Sequence, residues 1–132
     1  MMPVLPRTAV LAQAIARGDL SAREALQSCV ARIEATDGRI NAFTARTFER
    51  ARAEAAAIDA RRSRGEPLPP LAGVPYAVKN LFDIAGEVTL AGSKINRDHP
   101  PATADAFLVQ RMQQAGAVLV GALNMDEYAY GF

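Results

Sequence analysis

The sequence predicts an α/β fold, with an N-terminal helical layer followed by a βαβ portion of a mixed, mostly parallel sheet. Three observations support this. Residues up to about 62 carry apolar positions at helical spacing between helix start and stop signals. The stretch Ser63-Arg64-Gly65-Glu66-Pro67-Leu68-Pro69-Pro70 is a loop by composition and divides the chain into 1–66 and 67–132. Beyond it, two apolar strand-like runs flank one helical segment, the order of a strand–crossover–strand unit.

Thr8 is expected to cap a first helix that runs to Arg17 and stops at Gly18. Ser21 and Glu24 form a capping box, each satisfying an orphan backbone N–H at the start of a second helix. That helix places Ala22, Leu26, Cys29, Val30 and Ile33 on one face, and Gly38 is expected just past its end. A short extended piece fits Ile40 to Thr44. The third helix, about Thr47 to Arg62, turns Phe48, Ala51, Ala55 and Ile58 inward, and its arginines read as a solvated face. Val74 to Leu81 is expected to be a buried strand, with Pro75 tolerated at its start. Asp105 to Ala115 is helical, with Phe107, Leu108, Arg111, Met112 and Ala115 at helical spacing and Gly116 as its stop. Ala117 to Leu123 is continuously apolar, as a parallel strand covered on both faces must be. Two such strands alone would leave open edges, which predicts poor solubility or self-association. The run through Phe132 shows no closing cap, so the chain is expected to be part of a larger domain.

Composition removes several function classes. In 132 residues, 15 Lys+Arg against 14 Asp+Glu leave no basic surplus for a nucleic-acid binder. One cysteine and one histidine preclude an internal disulfide and the common zinc sets. No apolar run approaches the roughly 20 residues of a membrane span. The N-terminus, with Pro3 and Pro6, lacks the apolar core of a secretory signal. The expected location is the cytoplasm.

Few residues invite chemistry. Lys79 sits in an apolar strand. Buried, its amine would lose charge and could serve as a general base; at a strand end, its ammonium would simply stand in water. Gly92-Ser93 is either an anion-binding turn or a plain loop. Met125, Asp126 and Glu127 come after the second strand, where open α/β sheets bind ligands, and equally suit a helix start. Cys29 fits the core better than catalysis, and His99 lies in a Pro-rich loop with no triad to join.

These residues also carry a resemblance. Leu71-Ala72-Gly73-Val74-Pro75-Tyr76-Ala77-Val78-Lys79-Asn80 resembles the G-V-P-x-x-V-K-[DN] segment of the amidase signature family. The run from Gly116 through Asn124-Met125-Asp126-Glu127-Tyr128 to Gly131 is similar to its G-A-x-x-x-G-K-x-N-M-D-E-F-A-x-G segment. Leu90-Ala91-Gly92-Ser93 and the 102–115 helix fit in order between them. Ala122 stands where many members have lysine, and Tyr128 where many have phenylalanine.

The resemblance implies a Ser–cis-Ser–Lys triad with Lys79 as its lysine, and Met125 as a substrate-binding residue. It implies a small amide or urea-like substrate, no metal and no organic cofactor. Both triad serines would lie beyond residue 132, so the chain alone is expected to be inactive. It further implies a small helical partner subunit on the N-terminal helices; the alternatives are an A subunit-like part of a tRNA-dependent amidotransferase, or a non-catalytic interaction module.

Overall fold

The computed structural model describes residues 7–131. The readings made on Pro3, Pro6 and Phe132 lie outside the described residues. The elements run α1 (Thr8–Arg17), α2 (Ala22–Ile40), β1 (Phe43–Arg46), α3 (Phe48–Ser63), β2 (Pro75–Lys79), α4 (Phe107–Gln114) and β3 (Val118–Leu123). Single 3₁₀ turns occupy Lys94–Asn96 and Glu127–Ala129.

Local signals set most helix ends. Gly18 takes the left-handed conformation that closes α1 (φ 80°), while Arg7, not Thr8, holds the position before its first turn. The capping box of α2 forms as the sequence implies: Glu24 N–H donates to Ser21 Oγ at 3.0 Å, and Ser21 N–H donates to Glu24 Oε2 at 2.8 Å. A second cap comes from far away, because Asp59 of α3 accepts from the N–H groups of Ala22 and Arg23. The helix does not stop at Gly38. It continues to Ile40 and ends where Asn41 adopts φ 56°. The buried carboxylate of Asp37 then accepts from the N–H groups of Ala42 and Phe43 and pairs with Arg46, so the chain leaves the helix directly into β1.

The sheet has three strands in the order β1-β3-β2, with β3 in the middle. β2 pairs with it in parallel and β1 antiparallel. The expected two-stranded sheet is therefore corrected: the short extended piece after α2 takes the second edge of β3. From Val118 to Ala122 the central strand is buried without a break. β2 is only half-buried, contrary to the buried strand expected, because one of its edges lacks a neighbour strand among the described residues.

Side chains pack on both faces of the sheet. On one, Leu11, Ile15, Leu26, Val30, Ala51, Ala55 and Ile58 from the helical layer meet Val74, Val118 and Val120. On the other, Ile84 and Val109 meet Leu119 and Ala122. Val109 is the buried residue of α4; Phe107 and Leu108 are 71% and 56% exposed, so that helix lies on a different face from the one its spacing suggested.

An ion-pair cluster is among the polar links between the halves of the chain. Arg50 donates to both carboxylate oxygens of Asp105 at 2.8 and 2.9 Å, and to Glu54 at 2.9 Å. Asp105 also accepts from Ala85 N–H. The arginine face of α3 is thus not wholly solvated. The Arg50 hydrogen bonds hold the Asp105 carboxyl below its ordinary value. Burial pushes Glu54 up, against the opposing pull of Arg50. Nearby, the Tyr76 hydroxyl is buried without a hydrogen-bond partner, and burial pushes its pKa up to about 12.

Arg50→Met leaves two carboxylates without their cation and is expected to cost about 3 kcal/mol in urea unfolding at neutral pH. The stabilisation owed to Asp105 is present above its ordinary pKa of 3.8 and is lost as pH falls through its lower folded value. Glu54, being raised, contributes with the opposite sign. Acid titration of unfolding should show a smaller Asp105 loss in Arg50→Met than in the parent, because the Ala85 N–H still holds the carboxylate; an unchanged acid limb would refute the assignment.

Candidate functional site

A cavity of about 340 Å³ opens at the carboxyl ends of β2 and β3. Asn80, Gly92, Ser93, Asn124 and Met125 line it, together with the cations Lys94 and Arg97. They arrive from different segments, and Asn80 holds the segments together. It is 4% exposed. Asn80 Nδ2 donates to Thr44 Oγ1 at 2.7 Å on β1, and Oδ1 accepts from Leu90 N–H at 3.0 Å. Its backbone N–H reaches Leu123 O, and its carbonyl accepts from Ala91 N–H. One residue therefore fastens the end of β2 to β1, to β3 and to the 90–97 loop.

That loop is tightly constrained. Ala91 and Gly92 both have positive φ, 48° and 70°. Such conformations are costly for a residue with a Cβ and persist where surrounding contacts fix them. Here Tyr128 N–H donates to Ala91 O at 2.7 Å. Asn96, also buried, donates through Nδ2 to Leu90 O and to the Tyr128 hydroxyl. A Cβ on Gly92 would lie 2.7 Å from Met125 O, so the glycine lets the loop and the segment after β3 touch. Asn124 donates from its backbone to Ala42 O and from Nδ2 to Asn41 O.

The residues singled out in the sequence divide here. Met125, Gly92 and Ser93 meet in the cavity. Ser93 N–H already donates to Leu90 O, so this turn does not present that N–H to an anion. Lys79 closes β2 as an exposed residue, next to Asn80 but not among the lining side chains. The described residues do not bury its side chain. Asp126 and Glu127 are outside the lining, and Glu127 is exposed. Cys29 packs partly buried against the core, where burial pushes its thiol up, and His99 is exposed. Among the described residues, no three His, Cys, Asp or Glu side chains gather as a metal site requires. Asn124 stood out only as part of the family-like run, and Lys94 and Arg97 were not singled out as site residues.

The sequence profile of the amidase family matches residues 24–132. The chain belongs to the amidase signature family. It is 68% identical to the AtzE subunit of 1-carboxybiuret hydrolase from Pseudomonas sp. (strain ADP), over 96% of this chain and 28% of that protein. It is 49% identical to the A subunit of glutamyl-tRNA(Gln) amidotransferase from Anaeromyxobacter sp. (strain K), over 89% of this chain and 24% of that protein. A solved structure of an s-triazine catabolic enzyme, described as a vestigial protein complex, superposes with a TM-score of 0.94 at 68% identity, covering 96% of this chain and 28% of that one. The chain thus spans about a quarter of the length of these relatives. No helix among the described residues is long and apolar enough to cross a membrane.

Asn80→Ala removes two side-chain hydrogen bonds at a buried position and is expected to cost about 1–3 kcal/mol. Hydrogen exchange localises the effect: the Leu90 amide should exchange faster while the β2–β3 ladder stays protected. Equal protection of Leu90 in both proteins would rule out this fastening role.

Proposed function

We propose that the protein, at the length of its relatives, hydrolyses a small amide or urea-like substrate of the 1-carboxybiuret type in the cytoplasm. The observation that carries this reading is the 68% identity to the AtzE subunit over nearly the whole chain. Its support from the fold is the polar cavity at the carboxyl ends of parallel strands, where open α/β sheets bind ligands. Lys79 is the proposed base and Met125 a wall of the substrate pocket.

In the family's Ser–cis-Ser–Lys scheme, the neutral lysine accepts a proton from the bridging serine as that serine takes one from the nucleophile. The serine oxygen attacks the amide carbon, and the amine leaves with a returned proton. Water then hydrolyses the acyl-enzyme, and backbone N–H groups hold the oxyanion. Neither metal nor organic cofactor takes part. The present 132 residues contribute the lysine and one side of the pocket, so we propose that they are inactive alone.

Lys79→Ala in the protein at its relatives' length is expected to lower kcat for small amides by about 10³-fold, within the usual range for a general base. In the 132-residue chain, where Lys79 is exposed, the same substitution should change stability little. Turnover that survives the substitution would refute the role.

A second reading concerns a partner. A groove of about 610 Å³ runs between α2 and α3, floored by Leu26, Val30 and Ala56 and edged by Arg23, Glu34 and Arg52. This apolar floor with charges of both signs suits an amphipathic helix, and we propose that a small helical subunit occupies it. Native mass spectrometry of the protein purified from its own cells should show one stoichiometric small partner, absent from Ala56→Glu. An unbound parent protein, or a partner retained by the variant, would count against this groove.

A further inference from the structure

We propose that Lys94 and Arg97 select the charge of the substrate, so that the cavity prefers a small amide bearing a carboxylate over its uncharged counterpart. This rests on the proposed function, whose 1-carboxybiuret-type substrate carries a carboxylate; what it adds is the assignment of that recognition to these two side chains.

The inference comes from what the cavity wall can still offer. Most of its polar groups are engaged within the chain. Both ends of the Asn80 amide are used, Asn124 Nδ2 donates to Asn41 O, and Ser93 N–H donates to Leu90 O. Lys94 and Arg97 differ. Both line the cavity, and neither has an ion pair or side-chain hydrogen bond among the described residues. Elsewhere the chain pairs several arginines with nearby carboxylates: Arg17 with Asp19, Arg46 with Asp37, Arg50 with Asp105, Arg64 with Glu66. No aspartate or glutamate of the described residues lines this cavity.

Two unpaired cations in a concavity without carboxylates make a positive potential that its walls concentrate. The single 3₁₀ turn at Lys94–Asn96 sets their spacing, with Lys94 first in the turn and Arg97 directly after it. The buried Asn96 between them anchors that turn to Leu90 and Tyr128. The cations therefore stand on a fixed base although their ends are solvated. A guanidinium takes a carboxylate in a two-pronged hydrogen bond, and an ammonium adds a point charge beside it. At about 340 Å³ the space suits a small molecule.

The test titrates the 132-residue chain with succinamate and with succinamide, monitoring backbone amide signals of Gly92, Ser93, Asn124 and Met125 by NMR. Succinamate should bind about tenfold more tightly at low ionic strength, since charge-assisted contacts exceed neutral ones. Added salt should erode the preference, and Lys94→Met/Arg97→Met should abolish it while leaving the remaining spectrum in place. Equal binding of the two probes, a preference that persists in the double variant, or no response to succinamate would each overturn the proposal. Lys79→Ala separates the two readings. It should keep the anion preference; in the protein at its relatives' length it should lose turnover. Preference retained with turnover indifferent to Lys79 defeats the proposed function alone, whereas Lys79-dependent turnover without the preference defeats this inference alone.

Discussion

The structure depends on the position of β3. A strand with neighbours on both edges and side chains packed on both faces leaves little room for polar atoms, and Val118 to Ala122 comply. Everything else attaches to it. β2 lies parallel on one side and β1 antiparallel on the other. Thr47, at the entrance to α3, donates its hydroxyl to Leu119 O at 2.7 Å and its N–H to Val120 O. Gly121 allows the close approach of β1, because a Cβ there would collide with Ala45 O and the Phe43 ring. The helical layer is thus held to the sheet by hydrogen bonds as well as by apolar contact.

Such a strand can align the ends of its neighbours but cannot build a site, because its own side chains belong to the core. The cavity is consequently assembled from the segments that leave the strands: Asn80 after β2, Asn124 and Met125 after β3, and the 90–97 loop between them. Loops must be fixed if they are to present groups at constant spacing. Asn80 and Asn96 do this from buried positions, each accepting or donating at more than one point. The left-handed pair Ala91–Gly92 shows that these contacts outweigh a local backbone preference.

How much of the fold could be read from the sequence depends on the range of each interaction. The Ser21–Glu24 cap and the left-handed stop at Gly18 are local, and both could be read directly. The end of α2 could not: Gly38 looked like a terminator, but the turn is fixed by Asp37 acting on residues five and six positions later. β1 is four residues long, and its ladder partner is far along the chain, so its own pattern could only suggest extension. Arg50 looked like any arginine on an alanine-rich helix until Asp105, 55 residues away, came beside it. In α4 the period was right and the face wrong, since periodicity gives the helix but not which neighbour covers it. For the site, the strand placed Lys79 and the family resemblance drew attention to Met125. The cavity cations come from a loop with no periodic signal, and only its folding joins them to the wall.

The exposed Lys79 sets a condition on any chemistry at this end of the sheet. A lysine acts as a base in its neutral form, and burial or neighbouring cations are the physical means of favouring that form near neutral pH. Within the described residues β2 ends with Lys79 exposed, so this chain does not itself supply the burial. If Lys79 is the base, as proposed, its covering atoms come from another part of the protein or from the substrate. A substrate anion drawn into the neighbouring cavity acts in two ways, excluding water while adding negative charge that favours the ammonium. The carboxylate therefore has to be compensated close to where it binds. In the proposed selectivity, Lys94 and Arg97 in the cavity wall do that, leaving covering groups to act on Lys79 through desolvation rather than against an uncompensated negative charge.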